Sequence, residues 1–217
     1  MNNQGYLILS KSFPLSKTKT LTIGLNPLNR FVTTVSFSKR NEFTNMTETI
    51  AFNVDDFLII WKYLIRIIQT NFQNDTHNVS GTAYSICILP MFAEKNVIIY
   101  KTNDFLNQSL NLSEKNIQFV MQLEQSIQEQ MDQSKLCEKQ VLHLYNLSIN
   151  KLGNLFQKND GYEIKMKIAK NFLENFNSLS EHTRKSLVFD YELFIVEMSV
   201  HYFDYIFIDY IKLCCSR

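Results

Sequence analysis

The chain is predicted to be an α+β protein: an antiparallel strand-strand-strand-helix unit written twice, followed by an all-helical C-terminal region. Three observations predict this. Two-residue alternation of apolar and polar side chains fills much of the first hundred residues, as in half-buried strands. Residues 49–72 (TIAFNVDDFLIIWKYLIRIIQTNF) join a short extended piece to an almost wholly apolar helix, and residues 108–131 (QSLNLSEKNIQFVMQLEQSIQEQM) form a fainter copy. From Leu136 onward the strand period gives way to three-and-four helical spacing. The expected organisation is a duplicated region over 1–135, with units at about 6–75 and 80–135, and a helical region over 136–217 that packs on the first or mediates self-association.

In the first unit, residues 6–9 are a possible extra strand. Residues 18–28 alternate Leu21, Ile23 and Leu25 against Thr20, Thr22 and Gly24, and Asn26-Pro27-Leu28-Asn29 reads as a turn. Residues 30–40 answer with β-branched and aromatic residues, Phe31, Thr33, Val35 and Phe37 on one face, so the two runs form a hairpin. Residues 47–52 add a third strand. Asp55 is expected to cap the helix, with Asp56 beside the positive end of its dipole. Phe57, Ile60, Trp61, Leu64, Ile67 and Ile68 then trace its buried face, and Lys62, Arg66 and Gln69 its wet side. The apolar run 57–68 is too short to cross about 30 Å of hydrocarbon.

After a polar break at 73–81, residues 83–91 form a strand closed by a proline turn at Leu89-Pro90, and residues 95–102 return. Residues 110–113 lead to Ser113 as N-cap, aligning with residues 52–55 at an offset of 58. Beyond, Cys137, Val141, Leu144, Ser148, Leu152 and Leu155 mark one helix, and Ile164, Ile168, Phe172 and Phe176 another. Ser178-Leu179-Ser180-Glu181 is a capping box opening a last helix to about Leu213, near 50 Å long if unbroken. That helix sets carboxylates among aromatics, as in Phe189-Asp190-Tyr191 and Phe203-Asp204-Tyr205. It is expected either to pack on its own domain or to form an interface, with another copy of the chain in a homo-oligomer such as a homodimer or with a partner protein.

Little points to chemistry. The 217 residues, 45% apolar, can fill a core without disulfides. Cys87, Cys137, Cys214 and Cys215 lack metal-ligand spacing, and His77, His143, His182 and His201 neither pair for a metal nor accompany a nucleophile. With only Gly5, Gly24, Gly81, Gly153 and Gly161, no phosphate-cradling glycine loop is possible. No enzyme activity, metal or cofactor is expected. No leader or membrane segment is read, so a nuclear or cytoplasmic protein is expected. The Asn-, Ile- and Lys-rich composition fits an AT-rich coding genome, such as that of a virus or mobile element.

Charge placement is more informative than the net +1. Residues 1–41 hold Lys11, Lys17, Lys19, Arg30, Lys39 and Arg40 and no acid, a local +6; the other 22 − 6 = 16 bases face all 21 acids, or −5. A sheet displaying these cations among Thr, Ser and aromatic rings suits a single strand of nucleic acid, the cations taking phosphates and the rings stacking on bases. The candidate contacts are Lys17, Lys19, Arg30, Phe31, Phe37, Lys39 and Arg40, with Tyr6 a further aromatic. Phe31 and Phe37 share a face with Val35, which places them equally well in the core.

The order of strands followed by an apolar helix with a central Trp, in TIAFNVDDFLIIWKYLIRII and its echo QSLNLSEKNIQFVMQLEQSI, resembles the unit of the Whirly and positive-cofactor-four group of single-stranded DNA-binding transcription regulators. The resemblance covers about residues 18–131 and implies curved sheets gripping an unpaired strand, with helices pairing the two halves. The expected function is therefore non-enzymatic binding of nucleic acid, single-stranded DNA above all. The alternative is a structural or adaptor protein acting through its aromatic-acidic C-terminal helix.

Overall fold

Strand-period alternation builds two antiparallel meanders, and each runs straight into a helix. In the computed structural model, which describes residues 6–44, 46–69, 76–91, 94–102, 109–155, 163–164, 167 and 185–201, the first sheet is β1 (Ile8–Pro14), β2 (Lys19–Asn26), β3 (Val32–Arg40) and β4 (Thr47–Asn53), hydrogen-bonded in that order and followed by α1 (Val54–Gln69). The second is β5 (Thr76–Asn78), β6 (Tyr84–Met91), β7 (Glu94–Lys101) and β8 (Ser109–Ser113), in the same order and followed by α2 (Glu114–Gln122) and α3 (Glu124–Leu155). The last described element is α4 (Tyr191–His201). The α+β class and the duplicated order are as the sequence predicts. Each sheet holds one strand more than expected: β1 runs from Ile8 to Pro14 instead of lying at 6–9, and β5 falls inside the polar break. β6 passes through Leu89 and Pro90, which pair with Asn96 and Lys95, so the hairpin turns beyond Met91.

Register shows how closely the units correspond. Across the first sheet, Ile23, Val35 and Phe52 form one row and Leu21, Phe37 and Ile50 the next. Across the second, Ile88, Val97 and Leu112 form one row and Ile86, Ile99 and Leu110 the next. All twelve side chains are buried in one continuous core with Phe57, Ile60, Trp61 and Leu64 of α1 and Ile117 and Val120 of α2. Each fully buried large side chain contributes roughly 1.5–3 kcal/mol, so these rows dominate the stability of both units.

The equivalent strands β4 and β8 lie against each other. Lys19 and Tyr84, at the starts of β2 and β6, each reach across to the other unit. The Lys19 Nζ donates to Asn116 Oδ1 at 3.3 Å, and the Tyr84 hydroxyl donates to the Ala51 carbonyl at 2.9 Å. The Tyr84 ring lies 4.7 Å from that of Phe52.

Both junctions from strand to helix use the same device. Asn53 Oδ1 accepts from the Asp56 amide at 2.7 Å while Asn53 Nδ2 donates to Asp56 Oδ2 at 2.9 Å. Ser113 Oγ accepts from the Asn116 amide, and Asn116 Oδ1 accepts from the Ser113 amide in return. The cap of α1 is therefore Asn53, not Asp55: β4 passes directly into the helix at buried Val54, two residues earlier than the Asp-Asp pair suggests. With Asn53 matched to Ser113, the offset is 60 and not 58.

A second core cluster lies at the other end of the first sheet. Cys137, Val141 and Leu144 of α3 and Tyr191, Phe194 and Met198 of α4 pack on Ile8, Leu25 and Phe31. α3 continues without a break across residue 136. Two helix carboxylates take strand amides: Glu138 Oε1 accepts from Thr33 N, and Glu197 Oε2 from Leu9 N, each at 2.7 Å. Leu9 sits at a bulge where the β1–β2 register shifts and φ is 47°, which turns its amide away from the ladder. Gly24 permits this bulge, since a Cβ there would lie 2.6 Å from Ser10 Cβ.

The long last helix expected from the capping box is interrupted. Residues 186–190 are non-helical and Asp190 caps α4, its Oδ1 accepting from Leu193 N at 3.0 Å. The capping box at 178–181, the helix stripe at 168–176 and the aromatic-acidic stretch beyond 201 lie outside the described residues.

Candidate nucleic-acid interface

Two loops at one end of the first sheet come together because β1–β2 and β3–β4 turn on the same side. In the first, Ser16 Oγ accepts from Thr18 N at 3.3 Å and Lys19 N at 3.1 Å, and Leu15 N donates to the Lys19 carbonyl at 2.8 Å. These bonds tighten the turn and leave Lys17 exposed. In the second, Asn41 Oδ1 accepts from Phe43 N at 2.9 Å and Thr44 N at 3.2 Å, an Asx turn closed by Asn41 N on the Met46 carbonyl. Arg40 N donates to the Thr18 carbonyl at 2.8 Å and ties the two together.

Between them is an open groove of about 510 Å³. Lys17, Lys39 and Arg40 line it against one carboxylate, Glu42, and Phe43 stands at its mouth with 97% of its surface exposed. Behind the groove, Lys19 and Lys39 are direct cross-strand partners. Like charges so placed repel, and burial, with the Lys39 charge adding to it, lowers the Lys19 pKa. Glu48 offsets this only in part, lying 3.9 Å from Lys39 with both side chains partly exposed.

The predicted contacts thus divide. Lys17, Lys39 and Arg40 meet in the groove and Lys19 stands in the row behind them. Arg30 is at the opposite end of β3, roughly 30 Å away for nine residues of strand. Phe31 and Phe37 do not stand on the surface. Arg30 and Phe31 both adopt left-handed backbone, φ 51° and 61°, so the turn extends to residue 31 and swings the Phe31 ring inward. There it packs 5.2 Å from Tyr145. Phe37 lies between Phe52 and Phe57 with 2% of its surface exposed. Tyr6 is half-exposed ahead of β1.

The outer face of the sheet carries hydroxyls and no rings. Its central rows are Ser12, Thr22, Ser36 and Ala51, then Thr20, Ser38 and Thr49. Ser12 and Thr22 hydroxyls are 3.0 Å apart. Chemically the arrangement offers cations and the hydroxyls of Ser12, Thr20, Thr22, Ser38 and Thr49 to an anionic chain, with Ser36 buried and one exposed ring at its end. Sequence reasoning missed Phe43 because it is a lone aromatic in a polar loop without periodicity; Asn41, an Asx-turn former between two charged strand ends, was the available signal.

Among the described residues no group of three or more His, Cys, Asp or Glu converges as metal ligands, and no helix is long and apolar enough to cross a membrane. Burial pushes the Cys137 thiol pKa up, so it stays protonated within the second cluster. Comparison with protein-family models, curated proteins and solved structures finds no match for this chain.

Proposed function

We propose that this chain is a non-enzymatic nucleic-acid-binding protein that holds a single strand, DNA in the first instance, at the basic end of its first sheet. One observation carries the reading: three cations from an acid-free N-terminal segment, Lys17, Lys39 and Arg40, line one groove with a single acid among them. Lysine and arginine gathered in this way exchange condensed counterions for contacts to phosphate, which supplies sequence-independent affinity. The likeness to the Whirly and positive-cofactor-four group rests on the repeated order of strands followed by a helix.

Fluorescence anisotropy with labelled single- and double-stranded oligonucleotides tests this reading. Micromolar or tighter binding to the single strand is expected at about 50 mM salt. Three phosphate contacts give a slope of log K against log salt of about −2. No binding at about 50 mM salt overturns the proposal.

A second reading has its own observation. α4 buries Tyr191, Phe194 and Met198 on the first sheet while leaving Leu193 and Val196 about half exposed on its other side. The C-terminal helix would then join copies of the chain or hold a protein partner. Light scattering on L193E/V196E separates this role from nucleic-acid binding: a self-association that survives both changes removes it.

A further inference from the structure

Phe43 is nearly fully exposed, although every other phenylalanine described in the first sheet and its turns is buried. Its backbone is nonetheless tied into a hydrogen-bonded turn. The Asx turn on Asn41 holds the Phe43 and Thr44 amides, and the Asn41 amide holds the Met46 carbonyl. A ring left in water on a hydrogen-bonded turn forgoes the burial that accounts for its neighbours, and here it borders Lys17, Lys39 and Arg40.

We infer that Phe43 stacks on an unpaired base of the strand whose phosphates those cations hold, and so makes the site selective for single strands over duplex. This rests on the proposed function and assigns the ring its part in it. Base faces in a duplex are already covered by neighbouring base pairs, so the ring gains nothing there. In a single strand an unstacked base offers its face, and any base serves because each has one. The cations set affinity and the ring sets the preference for strand form.

The test compares wild type, F43A and F43W on three labelled probes of equal length: oligothymidylate, an abasic oligonucleotide and a duplex. Wild type is expected to prefer oligothymidylate. F43A should weaken oligothymidylate binding about 5- to 150-fold while leaving the abasic and duplex affinities and the salt slope unchanged. F43W should keep the affinity, and its added emission should be quenched by oligothymidylate over the background of buried Trp61. If wild type binds and F43A matches it on oligothymidylate, or loses abasic binding equally, the stacking role is overturned and the function stands. A wild type that binds none of the probes overturns both, and leaves the apolar tip of this loop to a protein contact.

Discussion

The two units share an interior and differ at the rim. Row for row, Ile23, Val35 and Phe52 correspond to Ile88, Val97 and Leu112, and both helices start from a side chain that caps the amide three residues on. At the end of those rows the first unit places Lys19, Lys39 and Glu48, where the second pairs Tyr84 with Lys101. Tyr84 is buried on Phe52, and Thr102, in the place of Arg40, has its hydroxyl bonded to the Ala83 carbonyl. Among the described residues, this end of the second unit is held by hydrogen bonds and ring contacts, whereas the first gathers its charges around a groove. A core row tolerates little change of volume, whereas a rim position is restrained only by what it binds, so a duplicated unit can serve as scaffold in one copy and contact surface in the other.

The core equivalence is the claim with the largest expected effect. F52A should cost about 3–5 kcal/mol and L112A about 2–5 kcal/mol, read as the change in urea unfolding free energy; an L112A cost below about 1 kcal/mol would break the correspondence. Next is the rim. K17E/K39E/R40E should reduce the salt slope of single-strand binding by about 2 and abolish binding at moderate salt, while K101E in the second unit leaves the anisotropy curve unchanged. Loss of binding in K101E would mean that both rims are used. The caps follow: N53A and S113A should each cost about 1 kcal/mol, and unequal denaturation midpoints would show that one junction is held by other means.

The smallest effect is a pH dependence at Lys19. Its pKa is lowered in the folded state by burial and then by Lys39, so the unfolded chain binds that proton more tightly. Wild-type stability relative to K19M should therefore rise with pH from the lowered value towards the ordinary lysine range. Paired urea titrations at about pH 7 and about pH 10 check the sign. The comparison with K19M removes the opposing contribution of Tyr84, whose pKa is raised by burial and then by the Asp56 charge.

Much of this fold was legible because its central elements carry strong periods. The β2–β3 hairpin, the α1 stripe from Phe57 to Ile67 and the Ser113 cap all follow from side-chain spacing. The first strand of each sheet was not, β1 being read only at 6–9. β1 interleaves Ser10, Lys11 and Ser12 between its buried residues, and β5 has three residues; an edge strand needs only one neighbour and shows a weak apolar signal. The site was half legible. Charge counting found Lys17, Lys39 and Arg40, which three strands and two loops then brought together, but it included Arg30, since sequence proximity cannot tell one end of a hairpin from the other. Phe31 and Phe37 were ambiguous for a similar reason: alternation says which residues share a face, and only the helices packed on that face decide whether it is wet.

Gly24 ties these regions together through a single hydrogen atom. With anything larger there, the crossing segment at Ser10 must lift, since even a methyl carbon would sit 2.8 Å from the Ile8 carbonyl oxygen. Leu9 would move with it and release the Glu197 carboxylate that moors α4. G24A should then loosen a helix 167 positions downstream while sparing the groove at the far end of the sheet. The clearance between two strands near the N-terminus thus bears on how firmly α4 is held.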